Sequence, residues 1–317
     1  MRILITGGRG TIGNVLTYQL RKKGYDVWTC DLAHHYDARH IRCDVAGYRN
    51  LLNLFESKSF DFVFHLAAEY GRWNGEDYYE QLWRSNVIGT KNILRLQEQF
   101  GFRLVFTSTS EVYGDIDDVM SEDLMEKVEI RQLNDYAISK WVNELQILNS
   151  ASMHGIKAVR VRLFNTYGPG EYYTDYRSAI CRFIYSALTD KPYTVYLNHS
   201  RSSVFISDTV NTLTAIIGNF IPGEVYNIGG GENHTMKEIS DFILSYLGKN
   251  DSLVTYLETE PFTTRDKKIS IEKAKRDLNY SPVVSLKDGL TRTIDWMRQV
   301  YLSRENADPV AFIGDYL

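Results

Sequence analysis

Residues 1–13 read Met1-Arg-Ile-Leu-Ile-Thr-Gly-Gly-Arg-Gly-Thr-Ile-Gly13, an apolar run that leads directly into Gly7, Gly10 and Gly13. The apolar run predicts a buried β-strand, and residues 11–22 predict a helix. Gly7 permits a tight turn, Gly10 lets the backbone approach a phosphate, and Gly13 lets the helix pack close to the strand. Because a helix N-terminus presents free N–H groups and a partial positive charge, the stretch predicts a site for the pyrophosphate of a dinucleotide. A glycine-rich turn without a ligand is the alternative interpretation.

An acidic residue follows the second apolar strand at the distance that such a site requires. Residues 25–31 read Tyr25-Asp-Val-Trp-Thr-Cys-Asp31, which places Asp31 about 20 residues beyond the glycines. Its carboxylate is expected to accept hydrogen bonds from the adenosine ribose and to repel a 2′-phosphate, which favours NAD over NADP. Asp is also common at the start of turns, so a purely local role is the alternative. The positive charge of Arg9 could contact a phosphate, which would weaken the preference for NAD.

Short apolar runs alternate with helical segments in the first half of the chain. Strands are predicted near 2–6, 25–30, 38–42, 60–66, 102–107 and 156–162, and helices near 11–22, 46–57, 77–99 and 134–153. This alternation predicts an α/β fold, a Rossmann-type doubly wound parallel sheet that binds ligands beyond the carboxyl ends of its strands. The alternation of strands and helices becomes irregular after about residue 166. We therefore expect an NAD-binding domain over 1–166 and a smaller α/β substrate-binding lobe over 167–317, with some segments returning to the first domain.

Composition and charge exclude several classes of protein. The 317 residues are 44% hydrophobic with a formal net charge of −4, which implies no strongly charged partner, and the basic stretch at 265–268 is too short to predict nucleic-acid binding. Cys30, Cys43 and Cys181 are odd in number and lack metal-type spacing, so they predict reduced core thiols. The first strand takes the place of a leader peptide, and no apolar run reaches membrane-spanning length. A cytoplasmic protein with no membrane contact and no metal site is expected.

A second group of polar residues follows the fifth predicted strand. Residues 107–114 read Thr107-Ser-Thr-Ser-Glu-Val-Tyr-Gly114, and Tyr136-Ala-Ile-Ser-Lys140 begins a later helix. Residues four apart share a helix face, so the Lys140 ammonium can lie near the Tyr136 phenol. Free tyrosine is a poor base at neutral pH, but Lys140 and a positive nicotinamide ring would favour its phenolate, with Thr109 holding the same substrate oxygen. The trio predicts a site that removes the proton of an alcohol during hydride transfer.

These residues resemble the extended short-chain dehydrogenase/reductases that modify nucleotide-diphosphate sugars, the NAD-dependent epimerase/dehydratase family. The resemblance covers nearly the whole chain. Beyond the glycine turn and the Tyr/Lys pair, it includes Asp44-Val45, His65-Leu-Ala-Ala68, Asn86-Val-Ile-Gly-Thr-Lys-Asn92, Arg162-Leu-Phe-Asn-Thr-Tyr-Gly-Pro169, Arg201-Ser-Ser-Val-Phe-Ile-Ser-Asp208 and Tyr226-Asn-Ile-Gly-Gly230.

The motifs and the resemblance together imply roles for particular residues. Cofactor contacts are implied for Gly7, Arg9, Gly10, Thr11, Ile12, Gly13, Asp31, Leu32, Asp44, Val45, Leu66, Ala67, Ala68, Asn86, Thr107, Tyr136 and Lys140. Thr109, Ser110, Glu111, Tyr136 and Lys140 are the implied catalytic residues, and substrate contacts are implied for Thr109, Ser110, Glu111, Asn165, Arg177 and Arg201. A solvated surface position is the alternative for Arg177, and Asp208 is expected to cap the helix that follows it. The resemblance also implies a homodimer formed through the helices near 77–99 and 134–153.

Family members share oxidation at C4 of the sugar, and the fate of the keto sugar distinguishes their reactions. A 4-epimerase is the first expectation. Glu111 resembles the carboxylate with which 4,6-dehydratases remove the C5 proton, so an elimination is one alternative. The run from Ser108 to Gly114 also resembles UDP-glucuronate decarboxylases, although Lys267 stands where those enzymes carry an Arg, and a lysine is not an equivalent clamp for a carboxylate. A non-catalytic NAD-binding sensor or scaffold is the alternative from another class, but it would not need Thr109, Tyr136 and Lys140.

The segment between the fourth and fifth strands is unusually aromatic and charged. Residues 69–79 read Glu69-Tyr-Gly-Arg-Trp-Asn-Gly-Glu-Asp-Tyr-Tyr79, and they are expected to line a sugar pocket. For Trp73, Tyr78, Tyr172 and Tyr173 the default expectation is amphipathic packing at an interface, and stacking on a base or a sugar face is the alternative.

Overall fold

The computed structural model describes residues 1–302 and 313–317. The strands, in chain order, are β1 Arg2–Thr6, β2 Asp26–Asp31, β3 His40–Arg42, β4 Phe62–His65, β5 Arg103–Thr109, β6 Ala158–Leu163, β7 Thr166–Tyr167, β8 Tyr193–Tyr196, β9 Ser200–Arg201, β10 Val204–Phe205, β11 Val225–Ile228, β12 His234–Thr235 and β13 Val254–Leu257. The α-helices are α1 Thr11–Lys22, α2 Tyr48–Ser57, α3 Arg72–Asp77, α4 Tyr79–Leu82, α5 Gly89–Phe100, α6 Leu124–Lys127, α7 Asp135–His154, α8 Ala179–Leu188, α9 Ile206–Ala215, α10 Met236–Leu247, α11 Glu272–Leu278 and α12 Leu286–Leu302. A π-helix spans Trp83–Ile88, and 3₁₀-helices span Ser110–Tyr113 and Ile313–Tyr316.

Seven strands form a parallel sheet in the order β11-β6-β5-β4-β1-β2-β3. Strand β1 pairs in parallel with β2 on one side and with β4 on the other, so the winding direction reverses between β1 and β4. The fold class predicted from the alternating pattern is therefore confirmed. In such a sheet the ligand crevice lies at this reversal, beyond the carboxyl ends of the strands.

The central strands are apolar because both faces of the sheet are covered. Ile3, Leu4 and Ile5 of β1 are fully buried, and all four residues of β4 are buried. Strands covered on both faces read as continuous apolar runs rather than alternating ones. One side of this core includes Phe55 of α2, whose ring lies 5.2 Å from the ring of Phe102, centroid to centroid.

The segment predicted as one helix over 77–99 differs from that prediction. It divides into α4, the π-helix and α5. The buried Asn86 lies in the π-helix, where its amide binds the Glu69 backbone and the Ser139 hydroxyl. A π-helix often marks a place where side-chain contacts override regular helical bonding, and these contacts supply such a cause.

The chain forms two compact units. The first comprises residues 1–112, 132–162 and 213–226, and the second comprises the described residues of 113–131, 163–212 and 227–317. In the second unit β8 pairs in parallel with β13, and α10 begins at a capping box in which Thr235 and Glu238 bind each other's backbone N–H groups. Cys30, Cys43 and Cys181 are free and buried, as the sequence predicts. Within the described ranges, no helix is long and apolar enough to cross a membrane.

Candidate active site

The glycine turn after β1 has the close contacts that the sequence predicts. Gly7 has a φ of +67°, and a Cβ on it would lie 2.7 Å from the Ala67 backbone nitrogen. A Cβ on Gly13 would lie 2.2 Å from the Gly7 carbonyl oxygen. Gly10 is the N-cap of α1 and offers no side chain to accept the first N–H groups of that helix. The turn therefore fits the pyrophosphate of a dinucleotide, because backbone N–H groups rather than side chains face the ligand crevice.

The Asp31 carboxylate ends β2 and faces this turn. One carboxylate oxygen accepts a hydrogen bond from the Arg9 backbone N–H at 2.9 Å, and the other accepts one from the Ala33 N–H at 3.1 Å. These bonds hold a negative charge beside the glycine turn.

The other predicted cofactor residues gather at the same edge of the sheet. Leu32 follows β2, Asp44 and Val45 follow β3, residues 66–68 follow β4, and Thr107 lies near the end of β5. Because the strands are parallel, their carboxyl ends meet along one edge. Asn86 differs, since it is fully buried and its amide is occupied by the Glu69 backbone and by Ser139, at 2.9–3.0 Å.

The structure brings Thr109, Tyr136 and Lys140 together in the first unit. Asn134 caps α7 by accepting a hydrogen bond from the Ala137 N–H at 2.9 Å, which places Tyr136 in the first turn of the helix. The Tyr136 phenol is hydrogen-bonded to Thr109 at the end of β5. One turn further along α7, the buried Lys140 ammonium donates to the Thr107 carbonyl oxygen at 2.9 Å.

Burial shifts the pKa values of Tyr136, Lys140 and His65. Desolvation raises the pKa of Tyr136 above its ordinary value, the Thr109 hydrogen bond offsets part of that increase, and the charge of Glu111 adds to it. Desolvation lowers the pKa of Lys140 to about 8, with Glu144 acting in the opposite direction. Burial, together with the Lys140 charge, lowers the pKa of His65 to about 3. At neutral pH the protein alone therefore holds a neutral phenol beside an ammonium and a neutral imidazole.

Ser110 and Glu111 begin the 3₁₀-helix that follows β5. The Glu111 N–H donates to the Thr109 hydroxyl at 3.3 Å, which ties the two residues together. The influence of the Glu111 charge on Tyr136 shows that its carboxylate lies within electrostatic range of the phenol. The start of the 3₁₀-helix is therefore tied to the end of β5, beside Thr109.

The second unit contains a pocket of about 530 Å³, including its open mouth. It is lined by Asn165, Tyr167, Ser178, Ala179, Ile180, Arg182, Phe183, Thr194, Tyr196, His199, Arg201, Ser203, Met236 and Glu260. Asn165 has a left-handed backbone (φ 46°), and its buried side-chain oxygen has no hydrogen-bond partner among the described residues. Two of the predicted substrate residues, Asn165 and Arg201, therefore share one pocket.

Arg177 does not line this pocket, and its guanidinium donates to the Tyr172 carbonyl oxygen at 3.1 Å. Conversely, sequence reasoning missed Arg182, Tyr196, His199 and Glu260. They come from α8, β8 and two loops that carry no recognisable motif. Only the fold brings them together, so the sequence contained no local signal for them.

One further expectation needs correction. Asp208 does not cap a helix, because α9 already begins at Ile206; its buried carboxylate instead accepts hydrogen bonds from the Val283 and Val284 N–H groups. Tyr172 and Tyr173 contact aromatic rings of the second unit, as the packing interpretation expects. Their rings lie 5.3 Å from Trp296 and 3.7 Å from Tyr185, respectively. In the part of the chain that the structure describes, no three His, Cys, Asp or Glu side chains are grouped to hold a metal ion.

A doubly wound sheet with this glycine turn and this Tyr/Lys pair defines a dinucleotide-binding enzyme of the extended short-chain dehydrogenase/reductase class. Residues 3–229 match the model of the NAD dependent epimerase/dehydratase family. The chain belongs to that family, and its cofactor is NAD. The family and the cofactor predicted from the sequence are thereby confirmed.

The names of the relatives describe more than one activity. The chain is 31% identical to UDP-glucuronic acid decarboxylase 1 of Xenopus tropicalis, over 94% of this chain and 72% of that protein. It is 30% identical to UDP-N-acetyl-alpha-D-glucosaminuronate decarboxylase of Bacillus cytotoxicus, over 94% of this chain and 98% of that protein. The crystal structure of UDP-glucuronic acid 4-epimerase from Bacillus cereus, in complex with UDP-glucuronic acid and NAD, has a TM-score of 0.86 and 29% identity, covering 95% of this chain and all of that one.

Proposed function

We propose that this chain is a nucleotide-sugar 4-epimerase that oxidises C4 of its substrate and then reduces it on the opposite face. The observation that carries the proposal is the Tyr136 phenol, hydrogen-bonded to Thr109 and followed one turn later by the buried Lys140. This arrangement is suited to exchanging a proton with a secondary alcohol.

The chain's own residues divide the work. The turn at Gly7, Gly10 and Gly13, together with Asp31, would hold NAD, which when bound accepts the hydride of C4 and later returns it. Tyr136 takes the proton of the C4 hydroxyl and gives it back when the ketone is reduced. Thr109 donates a hydrogen bond to the same oxygen and keeps it in place.

Tyr136 must become a phenolate before it can act as a base. Its pKa is raised in the protein alone, so positive charge near the phenol is needed to stabilise the anion. Lys140 carries such a charge below pH 8, and the cationic nicotinamide ring would add another. That these two cations together lower the pKa of Tyr136 stays a prediction.

The second-unit pocket would hold the nucleotide end of the substrate. The Asn165 amide and the Arg201 guanidinium suit the oxygens of a diphosphate, because guanidinium groups form paired hydrogen bonds with phosphate. The complexes and names of the relatives favour a UDP-sugar. A phosphate contact for Arg177 stays a prediction.

A decarboxylase is the second candidate. Two relatives of about 30% identity carry that name, and Ser110 and Glu111 stand in the run that resembles those enzymes. The position of their arginine is occupied here by Lys267, which is almost fully buried. Because a lysine lacks the paired donors that clamp a carboxylate, 4-epimerisation remains the first proposal.

A panel of UDP-, GDP-, CDP- and dTDP-sugars with and without a C6 carboxylate tests the reaction. We expect a product of unchanged mass whose C4 proton shows the inverted coupling in NMR spectra. Loss of carbon dioxide would establish the decarboxylase instead, and loss of water would establish a 4,6-dehydratase in which Glu111 removes the C5 proton.

The variant Tyr136→Phe tests whether the phenol is the base. We expect turnover to fall by about 10²–10⁴-fold while NAD binding is retained, because a general base contributes roughly that factor. Tyr18 and Lys22 of α1 have the same spacing as Tyr136 and Lys140 but lie away from the carboxyl ends of the strands. Tyr18→Phe is therefore the control. Unchanged turnover in Tyr136→Phe would rule out the phenol as the catalytic base.

The chain is further proposed to form a cytoplasmic homodimer through residues 77–99 and 134–153. The free, buried cysteines are consistent with a reducing compartment. Support for the dimer comes from apolar side chains that α7 exposes, Ile138, Leu145 and Leu148.

A further inference from the structure

A buried carboxylate with several ionic partners lies directly behind the Tyr/Lys pair. Glu144 of α7 is fully buried. Its carboxylate accepts hydrogen bonds from the Ser108 hydroxyl at 2.6 Å, from two nitrogens of Arg162 at 3.0 and 2.8 Å, and from Arg160 at 3.3 Å. Arg160 and Arg162 lie two residues apart on β6, so both reach the same face of the sheet. Glu144 thus joins α7 to β5 and β6.

This cluster adjoins the proposed catalytic residues on two elements. Ser108 immediately precedes Thr109 on β5, and Lys140 lies four residues before Glu144, on the same face of α7. The Lys140 ammonium also donates to the Thr107 carbonyl oxygen and lies 5.0 Å from the centre of the Phe106 ring. Two side-chain bonds therefore fix α7 against the end of β5, one from Lys140 and one from Glu144.

The charges of the cluster do not cancel. The Glu144 carboxylate binds Arg160 and Arg162, and its charge also acts on Lys140. Glu224 adds a second negative charge near Arg160, whereas His65 on β4 stays neutral and Tyr136 is an uncharged phenol. Although burial opposes ionisation, the Arg162 and Arg160 guanidiniums hold the pKa of Glu144 below its ordinary value, so it stays negative. Without that negative charge, Lys140 would share a desolvated region with two permanent cations.

We infer that Glu144 is a positioning residue that keeps Lys140 charged at neutral pH and holds Thr109 at its distance from Tyr136. The inference rests on the proposed function, in which the Lys140 charge supports the phenolate of Tyr136. Glu144 itself is fully enclosed and acts through Lys140 and Ser108. It extends the active site to a residue that no substrate or cofactor has to touch.

Three variants separate charge from packing. Glu144→Gln removes the carboxylate charge and is expected to lower the pKa of Lys140 by about one pH unit, since a nearby opposite charge has an effect of that order. Arg160→Met removes one cation, leaves the paired bonds of Arg162 in place, and is expected to raise the pKa of Lys140. Ser108→Ala removes a hydrogen bond to Glu144 without changing any charge, so it is the matched control.

The measurement is an NMR titration of the protein labelled with ¹³C at the lysine ε-carbons, with the Lys140 signal assigned from Lys140→Arg. Shifts of opposite sign in Glu144→Gln and Arg160→Met, both larger than in Ser108→Ala, would support the inference. Titrations of both variants that coincide with that of Ser108→Ala would overturn it. If Glu144→Gln does not fold, the direction of the shift in Arg160→Met decides alone.

This readout does not depend on turnover. The titration is made without a sugar substrate, so a failed proposal about the reaction leaves it intact. If the shifts are found, the pH at which kcat falls on the alkaline side should move in the same direction in each variant. An alkaline limb that stays in place would show that Glu144 governs Lys140 but that the Lys140 charge is not used in catalysis.

Discussion

Asp31 and Asp208 show how differently two acidic residues with similar sequence contexts can act. Asp31 precedes a turn and Asp208 lies in the first turn of α9, positions where a carboxylate commonly binds backbone N–H groups. The Asp31 carboxylate accepts hydrogen bonds from the N–H of Arg9, inside the glycine turn, and from the N–H of Ala33, so its charge lies beside that turn. The buried Asp208 carboxylate accepts hydrogen bonds from the N–H groups of residues 283 and 284, which lie far along the chain. Sequence spacing predicts a cofactor role for Asp31, but it could not have shown the contacts of Asp208.

Asp31 is expected to determine the choice between NAD and NADP. Asp31→Ala should weaken NAD binding by about tenfold or more, as expected for lost hydrogen bonds to a charged group, and should weaken NADP binding less because it also removes a repulsion. Asp31→Asn is the control, since it retains an acceptor for the Arg9 N–H without the charge. Both affinities can be measured by calorimetry. Equal affinities for the two dinucleotides in the unmodified protein would contradict the prediction.

Among the elements, local pattern predicts α1 and α7 better than it predicts the segment between β4 and α5. The predicted bounds of the first helix agree with Thr11–Lys22, and those of the other helix lie within one residue of Asp135–His154. Helix α7 begins at its Asn134 cap and α1 begins directly after the glycine turn, so the neighbouring sequence marks both starts. The π-helix depends instead on Asn86 binding Glu69 and Ser139, which lie 17 and 53 residues away. A contact of that separation leaves no periodic trace in the sequence.

The close packing of α1 on the glycine turn gives a prediction about this helix. Alanine favours helices over glycine by about 1 kcal/mol, so Gly13→Ala would stabilise an isolated helix. Here the added methyl group would lie 2.2 Å from the Gly7 carbonyl oxygen, and overpacking of this kind costs about 1–3 kcal/mol. We therefore expect a lower melting temperature and loss of NAD binding.

Gly218→Ala is the matched control for that experiment. The nearest atom to its added methyl group, the Ala215 carbonyl oxygen, is 3.9 Å away, so melting temperature and NAD binding should stay close to those of the unmodified protein. Thermal melts with and without NAD measure both quantities. A Gly13→Ala protein that binds NAD normally would show that the turn can open without loss of the site.

At the scale of the whole molecule, the alternation of strands and helices could not predict the place of β11 in the sheet. The chain leaves the sheet after β6 and returns with β11 more than 60 residues later, pairing beside β6. Long-range pairing depends on which sheet edge remains open after the rest of the chain has folded, and no local periodicity records that. The resemblance to known motifs at residues 226–230 marked the segment as important without marking it as a strand of this sheet.

The buried His65 predicts how the stability of the protein depends on pH. Its two ring nitrogens bind the hydroxyls of Thr6 and Thr90 at 2.7 and 3.1 Å, and burial lowers its pKa to about 3. Because the unfolded state binds a proton more readily, the free energy of unfolding should fall as the pH drops from about 6.5 towards 3, by up to about 1.4 kcal/mol per pH unit from this group. Urea unfolding across this range measures the slope. The slope should be smaller in His65→Gln, with His34→Gln, which removes an exposed imidazole, as the control.

The exposed face of α7 predicts that two chains associate. Ile138, Leu145 and Leu148 are separated by seven and three residues, so they share one face of the helix, and each is at least a third exposed. Ile88 of the π-helix, within the other segment proposed for the interface, is 49% exposed. Exposed apolar side chains grouped on one helix face commonly mark a protein interface.

We therefore expect light scattering to give the mass of two chains for the unmodified protein. The double variant Leu145→Glu with Leu148→Glu should give the mass of one chain, because association would bury two carboxylates without partners. Val283→Glu changes a residue of the second unit that is 78% exposed, and it should leave the dimer intact. A mass of one chain for the unmodified protein would remove the proposed interface, whereas dissociation by Val283→Glu alone would place it on the second unit.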